Sequence, residues 1–135
     1  MKRSHLAIAV VFALSILMTS AVAQTTHIKA NIPFDFVVGK QTLPAGEYSI
    51  TGQGMVLQLV RVDGPGSMFV QTYIAGYKNN VIPRILFHRY GKRSFLSQIW
   101  TPDRAREVKA SPREVEFARA DKQEQVEVLA SVIKK

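Results

Sequence analysis

Residues 81–101, VIPRILFHRYGKRSFLSQIWT, decide the fold class of this chain. Two apolar stretches, residues 81–89 and 94–101, flank the short segment Tyr90-Gly91-Lys92-Arg93. Glycine at the first corner of a two-residue loop suits a type II′ turn, whose twist matches that of paired strands. The stretch therefore predicts a β-hairpin that turns at Gly91.

More strands are predicted on both sides of this hairpin. Apolar and polar residues alternate over residues 28–38, where Pro33 either interrupts the strand or marks a sheet edge. Short apolar stretches next to glycine, proline or polar segments predict four further strands, over residues 48–51, 55–62, 67–75 and 126–132. About seven strands, with no alternation of strand and helix, predict a mainly β domain. We expect a compact antiparallel sandwich or a small barrel.

One helix is predicted before the last strand. Ser111, followed by Pro112 and then by Glu114, forms a capping box with proline at the first helical position. The helix is expected to run to about Asp121 or Lys122 and to lie over a sheet face or an open end, anchored by Phe117. Residues 101–110 are polar and predict an irregular connection.

The N-terminus has the pattern of an export signal. A basic start precedes an apolar stretch over residues 6–18, and Ala21-Val22-Ala23 provides the small residues that signal peptidase requires before Gln24. These thirteen residues, apolar except for Ser15, fall short of the roughly 20 that span a bilayer. No transmembrane span is therefore expected in the mature form. The sequence predicts a signal peptide over residues 1–23 and a single exported β-rich domain over residues 24–135, in the periplasm or outside the cell.

The composition narrows the classes of protein and of partner. The 135 residues include 18 Lys or Arg, 10 Asp or Glu and no Cys, and 47% are apolar, which excludes disulfide-scaffold, collagen and disordered classes. Cleavage would remove Lys2 and Arg3 and lower the net charge from +8 to +6. Export makes nucleic acid an unsuitable partner for this basic protein and favours anionic polymers of the cell envelope instead. The alternative is that the positive charge serves solubility alone.

Three motifs resemble a family of small exported bacterial proteins. They are NIPFDFVVG at residues 31–39, LPAGEY at residues 43–48 and FHRYG at residues 87–91, followed by Phe95-Leu96 and Trp100. The resemblance covers most of the mature chain. It implies export and a shared β-rich fold, and it implies no activity and no functional residue.

The hairpin is also the candidate ligand-binding site. It carries four fixed positive charges and interleaved aromatic rings, which suit an acidic or sugar ligand. The predicted site residues are Arg84, His88, Arg89, Tyr90, Lys92 and Arg93. The alternative is that the aromatic residues are core while the charges protect the hairpin tip from pairing with another sheet.

The sequence predicts no catalytic site, cofactor or metal. The mature chain has only two histidines, His27 and His88, and no nucleophile motif. Paired carboxylates for glycoside hydrolysis would have to come from Asp35, Glu47, Asp63 and Asp103. Asp35 has two readings, as a solvent-facing residue or as a partner for a hairpin arginine.

The expected function is therefore that of a non-enzymatic exported module. It would bind an anionic or glycan envelope component, or a surface protein, through its basic aromatic hairpin. One alternative is an assembly module that joins partners by β-addition to an exposed edge, at the Pro33 strand or the C-terminal strand. Another is a small ligand-carrying barrel.

Overall fold

The structure, a computed structural model, describes residues 26–77 and 81–133. The predicted signal peptide, residues 1–23, lies outside them. The described residues form ten strands and one helix. In chain order these are β1 (Thr26–Ile32), β2 (Phe36–Val38), β3 (Gln41–Leu43), β4 (Gly46–Gln53), β5 (Val56–Arg61), β6 (Ser67–Tyr77), β7 (Arg84–Tyr90), β8 (Arg93–Trp100), β9 (Arg104–Val108), α1 (Pro112–Ala120) and β10 (Gln123–Val132).

Eight of the strands close into an antiparallel barrel. They follow one another around it in the order β8-β7-β10-β1-β4-β5-β6-β9, and β9 pairs with β8 to complete the ring. The predicted mainly β fold is confirmed. Of the two expected forms, a sandwich and a small barrel, the barrel is correct. Both strands of the edge-strand alternative belong to the barrel: β1 pairs with β4 along its length and with β10 at residues 28–30, and β10 pairs with β7 over residues 123–129 and with β1 over residues 130–132.

The first predicted strand is divided at Pro33. β1 ends at Ile32, and β2 and β3 form a short hairpin whose only pairing with the barrel is the parallel one of Val37 with Phe95. Proline cannot donate to a ladder, which explains why the regular strand stops there. Phe36 of this hairpin is fully buried, and its ring meets the rings of two barrel residues, Tyr48 and Phe87, at centroid distances of 5.3 and 5.5 Å.

The barrel interior is filled by large side chains. Alternate residues of the strands point inward, as the period of two requires. The fully buried ones include Ile28, Ile32, Tyr48, Ile50, Leu57, Leu59, Ile85, Phe87 and Ile99. The interior is therefore a packed core.

The prediction of an irregular segment over residues 101–110 was wrong for its central part, which forms β9. The strand reads Arg104-Ala105-Arg106-Glu107-Val108, and its charges conceal the alternation. Arg106 is only 1% exposed, and its guanidinium donates to the Gly54 carbonyl at the β4–β5 turn. Burial lowers the pKa of Arg106. A polar residue that looks solvent-facing in the sequence is thus an interior residue.

The hairpin and the helix agree with their predictions. β7 and β8 are joined by the two-residue turn Gly91-Lys92, where Gly91 has a φ of 59°. Ser111 accepts a hydrogen bond from the Glu114 N–H at 3.2 Å and caps α1. The helix lies on the outer face of the hairpin, where the Phe117 ring contacts Phe95 at a centroid distance of 5.9 Å. Among the described residues no helix is long and apolar enough to cross a membrane.

Candidate functional site

The six predicted site residues lie at different places around the hairpin. Tyr90 is 4% exposed on the outer face under α1, and its hydroxyl donates to Oε1 of Gln123 at 3.2 Å. Burial raises the pKa of Tyr90, and the Glu114 carboxylate adds to the effect. Tyr90 is therefore a packed residue and not an exposed stacking platform.

Arg84 lies at the opposite end of β7 from the turn, where it pairs with Trp100 of β8. Its guanidinium carbon lies 4.8 Å from the centre of the Trp100 ring, and Nη1 lies 3.8 Å from a Glu127 carboxylate oxygen. The structure thus separates Arg84 from the other three basic residues of the hairpin.

Arg89 and Arg93 flank the tip on its two faces. The Arg89 guanidinium lies 4.7 Å from the centre of the Phe34 ring, and its Nε donates to Ser94 Oγ at 3.1 Å. The Arg93 guanidinium lies 5.0 Å from the centre of the Phe117 ring on the outer face. Lys92 is exposed in the turn between them. The structure therefore keeps Arg89, Lys92 and Arg93 at the tip, with Arg89 and Arg93 on opposite faces of the hairpin.

The arginines at the tip form no ion pair with the acidic residues that the structure describes. Within the described parts of the chain, neither Arg89 nor Arg93 has a carboxylate oxygen within 4 Å, whereas Arg84 does. Aromatic faces attract guanidinium groups through the ring quadrupole and orient them without neutralising them. The tip therefore presents two held guanidinium groups that form no ion pair within 4 Å among the described residues, while Glu124 lies opposite Arg89 on β10 and Asp121 lies beside the Gly91 turn.

Asp35 does not serve as a partner for a hairpin arginine. Its Oδ1 accepts a hydrogen bond from the Ala45 N–H at 2.9 Å, and its side chain is exposed. This contact fastens the loop after β1 to the loop before β4. The prediction that Asp35 faces solvent agrees with the structure, and its carboxylate also accepts a hydrogen bond from the backbone.

His88 is the centre of a hydrogen-bond chain that sequence reasoning missed. Its Nδ1 lies 3.2 Å from Oε1 of Glu114, and its Nε2 lies 3.0 Å from Oγ of Ser97. The Glu114 carboxylate accepts from Nδ1 when it is ionised. The Ser97 hydroxyl donates to Nε2 of the neutral imidazole and accepts from it when the ring is protonated. A β-bulge in β8 beside the Leu86–Phe87 step of β7 shifts the register and turns Ser97 toward His88. The capping box pointed to Glu114 in the sequence, but no local pattern indicates that His88 is its partner.

The order serine, histidine, carboxylate is that of a hydrolase triad, but the surroundings differ from those of an active site. Ser97 is only 6% exposed, and the groove beside His88 is lined by other residues. A nucleophile must reach its substrate, and this hydroxyl is enclosed between sheet and helix. The chain of hydrogen bonds instead fastens α1 to the sheet.

Glu114 is the buried polar residue of that contact. It is 5% exposed, and burial raises its pKa, an effect that His88 partly opposes. The half-buried Phe117 is a second anchor of α1 on this face, where it packs against the cluster of Val37, Tyr90 and Phe95. The first turn of the helix is thus held by a polar contact and the second by an aromatic one.

A groove of about 190 Å³ lies between α1 and the outer face of β7 and β10. Its walls are His88, Tyr90, Ala110, Glu114, Val115, Ala118 and Gln123. Two of the predicted hairpin residues, His88 and Tyr90, therefore contribute to this groove and not to the basic tip.

The remaining candidates for chemistry have partners of their own. The carboxylates of Glu47, Asp63 and Asp103 pair with Lys29, Arg61 and Arg104. His27 lies on β1, where its Nε2 is 3.0 Å from Ser49 Oγ, and β10 separates that strand from His88 on β7. In residues 26–77 and 81–133 no three His, Asp or Glu side chains are placed to hold a metal ion.

Fold and site together define a small closed antiparallel barrel with one outer helix and a basic hairpin tip. The chain matches no protein-family model, and no curated protein or solved structure is significantly similar to it. The resemblance to small exported bacterial proteins therefore stays a prediction.

Proposed function

We propose that the protein is an exported, non-enzymatic module that binds an anionic or glycan component of the bacterial envelope, or an acidic surface protein. The tip of the β7–β8 hairpin is the binding element. The observation that carries this proposal is the pair Arg89 and Arg93, each held over an aromatic ring with no carboxylate within 4 Å among the described residues.

The geometry favours an anionic partner for a physical reason. A guanidinium presents a planar fork of donors that matches carboxylate, sulfate or phosphate oxygens. Because the rings of Phe34 and Phe117 already restrict the two side chains, less conformational entropy is lost when a ligand binds. Lys92 adds a third charge at the same tip.

Two alternatives have less support. β-Addition was expected at the Pro33 strand or the C-terminal strand, and both are part of the barrel: β1 pairs with β4 and β10, and β10 pairs with β7 over residues 123–129 and with β1 over residues 130–132. A carried ligand would need interior space, and large buried side chains occupy the barrel. Neither alternative has an observation in its favour comparable to the unpaired arginines.

Charge reversal tests the proposal. The double variant Arg89→Glu and Arg93→Glu should lose binding to lipopolysaccharide, acidic polysaccharide and inorganic polyphosphate. The control, Lys40→Glu and Lys109→Glu, changes the net charge equally at two exposed positions outside the hairpin and should bind like the original protein. Binding should weaken with salt, since the screening length falls from about 8 Å at physiological ionic strength to about 3 Å at 1 M. Equal binding by the two double variants contradicts the proposal.

A further inference from the structure

The groove between α1 and the sheet combines polar groups and apolar walls in a small space. Its volume of about 190 Å³ lies below the roughly 300–1,000 Å³ of pockets for drug-sized ligands. Val115 and Ala118 of α1 provide an apolar wall, opposite Tyr90. A groove of this size suits a single ring.

Two polar atoms of the groove retain hydrogen-bonding capacity. Glu114 uses Oε1 for His88, and its Oε2 has no hydrogen-bond partner within the described residues. Gln123 uses Oε1 to accept from Tyr90, and its Nε2 donors likewise have none there. The groove thus offers one acceptor and one donor group.

We propose that this groove holds one sugar ring of an acidic glycan whose acid group binds Arg93. The inference rests on the proposed function, to which it adds a ligand class. Sugar hydroxyls both donate and accept, so neighbouring hydroxyls on one ring can bind Glu114 and Gln123 at the same time. The apolar face of the ring packs against the walls.

The distribution of charge supports an acidic glycan over a simple anion. Glu114 repels an anionic group from the groove, whereas Arg93 attracts one. Arg93 lies over Phe117, and Phe117 follows Glu114 by three positions on α1, where Cβ atoms are roughly 5–6 Å apart. A ligand with a neutral ring and an acid group can therefore contact both at once.

Two variants block the groove and leave the tip intact. Ala118→Leu fills it, and Gln123→Glu replaces its donor with an acceptor. Their controls are Ala120→Leu, on the same helix, and Gln71→Glu, on β6. All four positions are exposed, and neither control residue lines the groove.

The probes are oligosaccharides of galacturonic, glucuronic and mannuronic acid, with inorganic polyphosphate as an anion that has no ring. Titration calorimetry should show that at least one uronate binds the original protein. Each groove variant should weaken its affinity about tenfold, and each control should change that affinity by no more than about twofold. Binding of polyphosphate should be the same for Ala118→Leu and Ala120→Leu.

The two proposals fail in different ways. If no uronate binds, or if the groove variants bind the uronates as well as their controls do, the groove does not hold the sugar, even where Arg89→Glu and Arg93→Glu abolish polyphosphate binding. If that double variant still binds polyphosphate while Ala118→Leu loses the uronate, the proposed tip function and the Arg93 contact are wrong, and only the sugar ring in the groove stands.

Discussion

His88 and Glu114, 26 positions apart in the chain, meet across the interface between β7 and α1 with Nδ1 and Oε1 3.2 Å apart. This contact fixes the first turn of the helix on the barrel. It also makes Glu114 one wall of the groove beneath the helix. The same carboxylate thus determines where the helix lies and what the groove can bind.

Replacement of Glu114 by glutamine should change how stability depends on pH. The folded protein raises the pKa of Glu114 above its ordinary value of 4.5, so between these two pKa values the folded state binds more protons than the unfolded state. The stability of the original protein should therefore fall, relative to Glu114→Gln, as pH rises from below 4.5 through the raised pKa. Urea unfolding at several pH values measures this difference.

The control for that experiment is Glu116→Gln on the exposed side of the same helix. Its stability should follow that of the original protein across the pH series. The free energies of unfolding of Glu114→Gln and the original protein should differ by an amount that changes with pH. A difference that stays constant with pH would contradict the buried position of Glu114.

Ser97 should be unreactive. The fluorophosphonate probes that label accessible catalytic serines should leave this protein unlabelled, because Ser97 is only 6% exposed. Ser97→Ala should lower stability by roughly 0.5–1.5 kcal/mol, the value of one hydrogen bond, and should bind anionic probes normally. Covalent labelling at Ser97 would identify a nucleophile and reverse the non-enzymatic proposal.

The Phe117 ring should matter for binding through Arg93. Phe117→Leu keeps an apolar contact with Phe95 but removes the ring beneath the guanidinium. A cation–π contact at an exposed site contributes about 0.5–1 kcal/mol, so binding of polyphosphate should weaken about two- to fivefold. Phe69→Leu, at a residue 70% exposed on β6, is the control. Equal affinity of the two variants would show that the ring does not position Arg93.

Truncation after Lys122 should unfold the domain or cause it to aggregate. β10 lies between β1 and β7, so its loss opens the barrel. It also removes the partly buried Val126, Val128 and Ala130. A fully buried valine contributes roughly 1.5–3 kcal/mol against a total stability of roughly 5–15 kcal/mol. A truncated protein with an unchanged melting temperature would show that the barrel does not need this strand.

The predicted export signal specifies the first residue of the mature chain. Ala21-Val22-Ala23 before Gln24 predicts cleavage after Ala23. Mass spectrometry of the protein isolated from its native cells should find Gln24, free or cyclised, as the first residue. A major species that begins at Met1 would contradict export.

Local patterns were sufficient for most of the elements. The turn at Gly91 and Lys92 follows from the residues that a tight hairpin needs, and the start of α1 follows from Ser111, Pro112 and Glu114. Each of these features depends on a few neighbouring residues, and so it can be recognised in the sequence alone.

Tertiary structure alone decided how the strands close and which polar groups meet. The β8–β9 pairing that completes the barrel joins distant backbones, and Arg106 reads as a surface residue until the ring encloses it. The sequence placed Arg84, Arg89 and Arg93 on one hairpin, and strand direction then put Arg84 at the far end. Alternation along a strand determines the face of each residue, but the neighbouring strand depends on contacts between distant parts of the chain, which no local pattern records.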